Sequence, residues 1–299
     1  MGTPLERDRP AATAGFLSRV SAWLHRRPRI RLAGLLLPSL GWMLVVYVGA
    51  LLLLFVSSFW RLDPFTGLVV HDWGLGNFRK IASESVYAVT ALRTLGIAVA
   101  VTATDIALAL PIAYYAARVA TPRGRAAILL AVVLPLWSSY LVRVFAWRVI
   151  LSTHGLLSWL FLGKLHVGFS IWALWITFVY LWLPFVILPI YAALERVPPS
   201  LIEASGDLGA RGWTTFREVV WPLAIPGIVA GSIFSFSLTL GDYIAPTLVS
   251  NTQFIGNIVY QNTGVAGNFP FAAAYALVPV VIVGLYLLLA RRLGAFEAL

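Results

Sequence analysis

Residues 200–209 read Ser-Leu-Ile-Glu-Ala-Ser-Gly-Asp-Leu-Gly and lie in a polar interruption, Glu195 to Pro222, between two apolar segments that are each long enough to cross a bilayer. Two pairs have the spacing in which a hydroxyl caps a helix start and a carboxylate reaches back: Ser200 with Glu203, and Thr215 with Glu218. Gly209 stands where the first short helix would end in a left-handed residue. The pattern predicts two short capped helices joined at a glycine, a rigid knob at the membrane face that suits docking into a soluble partner.

The composition is that of a membrane protein. Hydrophobic residues make up 60% of the chain and charged residues only 11%, whereas about 25% of a typical soluble domain is charged. The sequence contains no cysteine, which excludes disulfides and thiol-ligated metal sites. A net charge of +10 would suit a nucleic-acid-binding protein, but the location of the charge along the chain argues against that class.

Six apolar segments each supply the roughly 20 residues needed to cross about 30 Å of hydrocarbon: 33–59, 91–117, 126–150, 170–194, 224–247 and 270–290. With the N-terminus inside, the cytoplasmic segments hold 15 of the 22 Lys and Arg residues, which sets the orientation by the positive-inside rule. The sequence therefore predicts an all-α integral membrane protein with six transmembrane helices and both termini cytoplasmic. Its parts are a partly disordered cytoplasmic segment 1–32, a membrane domain 33–292 that contains the cytoplasmic loop 195–222, and a cytoplasmic tail 293–299.

Motifs for chemistry are absent from the sequence. It contains no GxxxxGK[ST] phosphate-binding loop, no HExxH zinc helix and no GxSxG nucleophile elbow. The four histidines are scattered and are interpreted as surface or interfacial side chains: His25, His71, His154 and His166. We predict no catalytic residue, no metal site and no cofactor in this chain, so that any ATP would be hydrolysed by another polypeptide.

The polar loop carries a resemblance to a known family. Its residues match the spacing of the EAA loop of permease subunits from binding-protein-dependent ABC importers: Glu203-Ala204-Ser205, then Gly209, Val219 and Trp221-Pro222. Ser205, Val219 and Trp221 depart from the consensus Ala, Ile and Leu, and Trp221 is the bulkier replacement. In that family the loop forms a coupling helix in a cleft of the cytoplasmic ATPase. The resemblance implies the type I ABC importer permease fold and these ATPase-coupling residues: Ser200, Glu203, Ala204, Ser205, Asp207, Leu208, Gly209, Ala210 and Phe216.

Further segments resemble the spermidine/putrescine permeases, closest to the first of that system's two permease subunits: 110–114, 134–147, 183–189, 240–246, 255–257 and 268–272. The resemblance implies a polyamine or a related small cationic amine as cargo. It also implies a second, similar permease chain, two ATPase subunits that hold ATP and Mg, and an extracytoplasmic binding protein docking on the outer stretches 61–90 and 248–268. Other solutes, such as amino acid derivatives, phosphonates, sugars or iron, stay open, and so does a homodimeric or heterodimeric pairing.

A path for a polycation needs carboxylates, carbonyls or aromatic faces that replace water. Asp105 lies in the middle of the second span, where a charge costs about 2.5–3.5 kcal/mol on translocon scales; it is a substrate contact or the partner of a buried Arg or polar group. Asp242, at the outer end of the fifth span, is a substrate or gate residue, or orders the turn before Pro246. Three aromatic residues are path candidates that serve equally as interfacial or packing residues: Trp137, Tyr140 and Tyr243.

Two sequence features concern packing. Gly227 and Gly231 form a GxxxG pattern that allows close helix approach, and five prolines inside apolar segments favour kinks: Pro111, Pro135, Pro184, Pro189 and Pro279.

The predicted mechanism is alternating access, in which closure of the ATPase dimer moves the 195–222 loop and rocks the helices. The rival hypotheses are a stand-alone secondary transporter or channel, for which no convincing internal repeat is seen, and a membrane enzyme, for which the spans lack a cluster of acids or metal ligands.

Overall fold

The computed structural model describes residues 28–160 and 167–292. Most of the predicted N-terminal segment, the tail 293–299, His25 and His166 lie outside the described residues. Two compact units divide the chain, Met1–Val56 and Ser57–Leu299. The helices and strands have these bounds: α1 Pro28–Ser57, β1 Arg61–Leu62, β2 Val69–Val70, α2 Gly76–Ser83, α3 Ser85–Tyr114, α4 Pro122–Val133, α5 Tyr140–Leu151, α6 Leu156–Leu160, α7 Ile171–Glu195, α8 Pro199–Asp207, α9 Gly212–Thr215, α10 Trp221–Gly241, α11 Ile244–Val249, α12 Ile255–Gly264 and α13 Phe269–Arg292.

Five helical segments in the described part of the chain are long and apolar enough to cross a membrane: Leu36–Ser57, Ser85–Val119, Ile171–Glu195, Gly212–Gly241 and Phe269–Arg292. A sixth crossing is available as a bent pair, Pro122–Trp137 with Tyr140–Leu160, whose two parts meet at 98°. Each of the six predicted spans overlaps one of these segments.

The third predicted span, 126–150, is wrong as a single helix. Pro135 lies in a 3₁₀ turn, Leu134–Trp137, and has no N–H for the helical ladder. Ser138 is extended, with φ −81° and ψ 148°, and its hydroxyl donates to the Pro135 carbonyl at 2.7 Å. Because Ser139 is also extended, the chain turns sharply before α5 begins. Pro111, Pro184, Pro189 and Pro279, in contrast, lie inside helices.

The fifth predicted span, 224–247, is shifted towards the N-terminus. The helix runs from Gly212 through a π-helical turn, Phe216–Val220, and ends at Gly241. Asp242 then adopts an extended conformation, and α11 follows as a separate short helix. The sequence motif Gly241-Asp242-Tyr243 therefore marks a break in the chain rather than the last turn of a span.

The centre of the Ser57–Leu299 unit is formed by α3, α7 and α10. Gly227 and Gly231 allow α10 to lie directly against α7: a Cβ at Gly227 would be 2.5 Å from the Pro189 carbonyl oxygen, and one at Gly231 would be 2.9 Å from Val186 Cα. The predicted GxxxG packing is confirmed. Alanines of α3, Ala109 among them, pack against α7 and α10 and are completely buried. Small residues at this position let the three helix backbones approach closely.

Contacts between helix ends define two ends of this unit. At the end that carries the 195–222 loop, named the coupling end after the role that the resemblance implies, the last turn of α7 meets the π-helical turn Tyr115–Val119 that follows α3. At the far end, α13 and α3 begin side by side, and the Tyr275 hydroxyl donates to the Tyr87 carbonyl at 2.9 Å. The β1–β2 hairpin and α2 precede α3 there, and an Arg61–Asp72 ion pair of 2.9 Å links the two arms of the hairpin region. The stretches 61–90 and 248–268 hold only short elements besides the start of α3.

Candidate functional site

The coupling segment, Pro199–Val220, begins with α8 rather than with a serine cap. Pro198 is extended, with φ −64° and ψ 136°, Pro199 is the first helical residue, and no side chain caps the helix. The predicted cap at Ser200 is therefore wrong, and Ser200 and Glu203 both lie inside the helix. The reason is the Pro198-Pro199 pair: a residue before proline is driven out of the helical region, while proline suits the first helical position.

Gly209 ends α8 as predicted. Its φ is +80°, its N–H donates to the Gly206 carbonyl at 2.8 Å, and the Ala210 N–H donates to the Ser205 carbonyl at 3.0 Å. These two bonds are the Schellman pattern, which satisfies carbonyls that a helix end leaves unpaired. The left-handed residue reverses the chain and directs it back towards the membrane domain.

The second predicted short helix is wrong as a separate element. Helical structure starts at Gly212, after an extended Arg211, and Thr215 lies inside it. The hydroxyl of Thr215 does not cap a helix start but lies 3.0 Å from the Ser205 hydroxyl, so it joins the two arms of the segment. Since no break separates α9 from the π-helical turn and α10, any displacement of the segment acts directly on a membrane-spanning helix.

Phe216 anchors the segment, and other side chains are displayed outward. The Phe216 ring packs on Tyr114 of α3 with centroids 6.3 Å apart and on Trp213 at 5.5 Å. Leu208 and Trp213 are 89% and 73% exposed, and Leu201 is exposed beside them. Trp213 and Leu201 are surface residues that the motif did not mark; their apolar character within a polar loop was the available signal.

Two arginines that the sequence analysis assigned only to topology hold the base of this segment. The Arg118 guanidinium donates to the carbonyls of Leu194 and Val197. Leu194 is in the last turn of α7, and Val197 lies just before α8. Arg118 therefore ties the end of α3 to the point where the coupling segment leaves α7.

Arg125 completes the link from α4. Its Nε and Nη2 donate to the carbonyls of Ala116 and Ala117 at 3.1 and 3.2 Å, and its Nη1 lies 3.3 Å from Glu195 Oε1. The Tyr191 hydroxyl donates to the same carboxylate oxygen at 2.7 Å. Arg118, Arg125, Tyr191 and Glu195 form one arginine network that connects the ends of α3, α4 and α7.

Asp105 lies in the middle of the bundle and is 0% exposed. Ser235 of α10 donates to its Oδ2 at 2.6 Å, and the Thr102 hydroxyl is 3.4 Å from the Ser235 oxygen. The other carboxylate oxygen is buried without a hydrogen-bond partner among the described residues. Of the alternatives left open by the sequence, the structure shows the buried polar partner, Ser235, and a substrate contact stays a prediction.

Asp242 orders the turn that separates α10 from α11. Its carboxylate accepts the N–H groups of Ile244 at 2.7 Å and Ala245 at 3.1 Å, and the Tyr140 hydroxyl donates to it from α5. This is the turn-ordering role that the sequence left open; a role in gating or substrate contact stays a prediction.

The five predicted path residues do not converge. Tyr140 stacks on Trp182 with ring centroids 6.1 Å apart and bonds Asp242, so these predicted residues lie together. Tyr243 instead stacks on Tyr260 at 4.6 Å, and Trp137 is 79% exposed. Asp105 contacts Ser235, seven residues and about 10 Å along α10 from Asp242. In the described part of the chain, no three His, Asp or Glu side chains form a group that suits a metal ion.

Comparisons with known proteins agree with this architecture. The family model described as "Binding-protein-dependent transport system inner membrane component" matches residues 109–295. The chain is 46% identical to the inner membrane ABC transporter permease protein YdcU of Escherichia coli (strain K12), over 95% of this chain and 96% of that one. It is 29% identical to the spermidine/putrescine transport system permease protein PotB of the same organism, over 84% of this chain and 94% of that one.

A solved structure shares the fold. A chain of the bacterial alginate ABC transporter, crystallised in complex with an alginate pentasaccharide-bound periplasmic protein, superposes with a TM-score of 0.69 at 18% identity, covering 91% of this chain and 96% of that one. The family match and the relatives are those of a transport permease subunit and not of a membrane enzyme. The chain belongs to the binding-protein-dependent transport system inner membrane components: it is a permease subunit of an ABC importer, a multi-pass protein of the inner membrane.

Proposed function

We propose that this permease subunit moves spermidine, putrescine or a related small cationic amine into the cell by alternating access. The observation that carries the proposal is the similarity to the spermidine/putrescine permease PotB, which extends over 84% of this chain at 29% identity. The Gly241-Asp242-Tyr243 motif, one of the segments that resemble these permeases, forms a hydrogen-bonded break between α10 and α11.

The coupling segment is the proposed docking site for the ATPase. Leu201, Leu208 and Trp213 are exposed apolar side chains on it, and exposed apolar surface marks sites of protein–protein contact. The Schellman turn at Gly209 and the Ser205–Thr215 contact hold the two arms in a fixed geometry. A stiff segment transmits a displacement that a flexible loop would absorb.

This proposal places the coupling end in the cytoplasm. Arg118 and Arg125 lie at that end in contact with the 195–222 region, and the positive-inside rule assigns clustered basic residues to the cytoplasmic side. Both termini are then cytoplasmic, and the hairpin region at the far end faces the extracytoplasmic binding protein. A second, similar permease and two ATPase subunits complete the proposed transporter, with ATP and Mg held by the ATPases.

Reconstitution tests the cargo. The complete complex is reconstituted in liposomes, with the binding protein on its extracytoplasmic face and ATP supplied on the opposite face. It should take up radiolabelled spermidine or putrescine only when ATP is supplied. A mixture containing a phosphonate, a sugar and an amino acid serves as the comparison. Uptake of one of these solutes in place of the amines would contradict the substrate assignment, and uptake by this chain alone down an ion gradient would contradict the importer mechanism.

Docking is tested by a matched pair of exposed leucines. Leu208→Gln, in the coupling segment, should lower binding of the purified ATPase and ATP-driven uptake together. Leu68→Gln, in the β1–β2 connection where Leu68 is likewise exposed, should leave ATPase binding unchanged. Equal ATPase binding by the two variants would refute the docking surface.

A further inference from the structure

We propose that the arginine network is the joint that passes displacement of the coupling segment to α3 and α4, so that its residues position the machinery for coupling ATP hydrolysis to transport. The inference rests on the proposed function in one respect, since it takes the coupling segment to be the part that the ATPase moves. The network itself is defined by the contacts of Arg118, Arg125, Tyr191 and Glu195.

The joint lies at the C-terminal ends of two helical segments, α7 and the turn that follows α3. The last carbonyls of a helix have no intrahelical donor, and the negative end of the helix dipole favours a cation. Arg118 occupies that position for α7. It donates to the Leu194 carbonyl, which also accepts the Val197 N–H, and to the Val197 carbonyl just beyond the helix end. Arg125 occupies it for the helix that includes α3, by donating to the Ala116 and Ala117 carbonyls.

The hydrogen bonds link each of the three helices to another, so the joint resists sliding of one helix past its neighbours. Arg118 lies in the π-helical turn after α3 and reaches α7, while Arg125 lies in α4 and reaches both α3 and α7. Glu195, the last residue of α7, receives Arg125 and Tyr191. Three helix ends are therefore bonded to one another within a few residues of the start of α8, and none of them slides along its axis without losing charge-assisted hydrogen bonds.

Two π-helical turns meet beside this joint. Tyr115–Val119 follows α3 and Phe216–Val220 precedes α10, and the rings of Tyr114 and Phe216 pack edge to face, 6.3 Å apart. π-helical turns recur at functional sites within helices. The arginine network fixes the α3 turn to α7, so α3, α7 and α10 respond together when the coupling segment moves.

Arginine is needed at both positions because one guanidinium serves two or three acceptors. Lysine supplies a single compact charge and lacks the planar fork, so Arg125→Lys keeps the attraction to Glu195 but not the two carbonyl bonds. Glu195→Gln keeps an acceptor for Tyr191 and removes the ion pair. Arg291→Gln, in the last turn of α13, is the matched control, because its guanidinium makes no hydrogen bond or ion pair within the described residues and lies outside the 195–222 loop.

The first measurement is the number of ATP molecules hydrolysed per solute transported by the reconstituted complex. Arg118→Gln and Arg125→Gln should retain ATP hydrolysis and lose transport, so that this ratio rises about five- to tenfold, within the range of coupling between distinct sites. Arg125→Lys and Glu195→Gln should lie between wild type and the Gln variants of the two arginines, and Arg291→Gln should match wild type. Parallel loss of hydrolysis and transport, or an unchanged ratio, would overturn the proposal.

The second measurement needs no transported solute. Because the chain contains no cysteine, spin labels at Arg123→Cys in α4 and Arg211→Cys in the coupling segment are the only labels on this chain when the other subunits are prepared without cysteines. In the complete complex, their distance distribution should keep its width between the nucleotide-free and vanadate-trapped states, and should broaden on trapping in Arg118→Gln. An unbroadened distribution in that variant would refute the joint. Failure of spermidine uptake in wild type would instead reject the proposed cargo and leave this distance test in force.

Discussion

The close contact between α7 and α10 gives the sharpest prediction of stability. At Gly227 an added Cβ would lie 2.5 Å from the Pro189 carbonyl oxygen and 2.9 Å from Ile190 Cα. Both atoms belong to backbone, so no rotamer change relieves the contact. For the shorter distance to reach 3.4 Å, where ordinary contacts begin, the two helices must separate by about 0.9 Å. We therefore expect Gly227→Ala to destabilise the protein.

The change in the free energy of unfolding expected for Gly227→Ala is the sum of two opposing effects. Overpacking of a closely packed interior costs about 1–3 kcal/mol, and a clash with two backbone atoms belongs in the upper part of that range. Alanine in a helix is about 0.8–1.0 kcal/mol more favourable than glycine. Gly96→Ala, in α3, gains the same propensity without a clash, since no atom lies within 4 Å of its added Cβ. The difference between the two variants therefore isolates about 2–3 kcal/mol of overpacking.

The assay is thermal unfolding in one detergent at one heating rate, followed by tryptophan fluorescence. At about 2–4 °C per kcal/mol for a domain of comparable size, Gly227→Ala should unfold roughly 4–12 °C below Gly96→Ala. Gly231→Ala should lie between them, because its Cβ would approach Val186 Cα at 2.9 Å and Val186 Cγ1 at 3.2 Å. Equal midpoints for Gly227→Ala and Gly96→Ala would refute the argument that backbone proximity holds these helices.

The remaining predictions concern the coupling segment and the two buried acids. Gly209→Ala should lower the free energy of unfolding by about 1–2 kcal/mol, because the φ of Gly209 is +80°. Gly206→Ala, inside α8 with open space around it, should not lower it. Equal unfolding midpoints for the two variants would contradict the left-handed turn. Asp242→Asn should keep the fold, because the amide retains an acceptor for the turn. Asp242→Ala should lower the free energy of unfolding by about 1 kcal/mol. If transport falls in the Asn variant while its stability is unchanged, the carboxylate has a role beyond the turn. Asp105→Asn should keep the Ser235 contact and stay as stable as wild type, because the carboxylate has no cationic partner among the described residues; a loss above about 1 kcal/mol in chemical unfolding would show that the charge itself is stabilising.

Several features were readable from local sequence alone. Hydropathy located the five long apolar helices and the bent pair in the described part of the chain, because a span needs only a sufficient run of apolar residues. The left-handed conformation at Gly209 was predictable, since glycine adopts it without steric cost. The close helix approach at Gly227 and Gly231 followed from the spacing of residues without a Cβ. Each of these depends on a few neighbouring residues.

Helix boundaries were misread where two local signals compete. Ser200 and Glu203 form a capping pattern, but the preceding prolines begin the helix at Pro199. Thr215 and Glu218 form the same pattern, yet they continue a helix that starts at Gly212. A capping motif shows that a helix can start at a residue. It does not show that the residues before it are non-helical.

The sequence by itself determined the class of the protein and the places of its apolar crossings, because these depend on composition and on contiguous motifs. Only the tertiary structure decided which polar groups pair. Arg118 meets Val197 across 79 positions and Asp105 meets Ser235 across 130. Such pairs depend on how helices pack around one another, and buried polar groups take whichever partner that packing brings within hydrogen-bond distance.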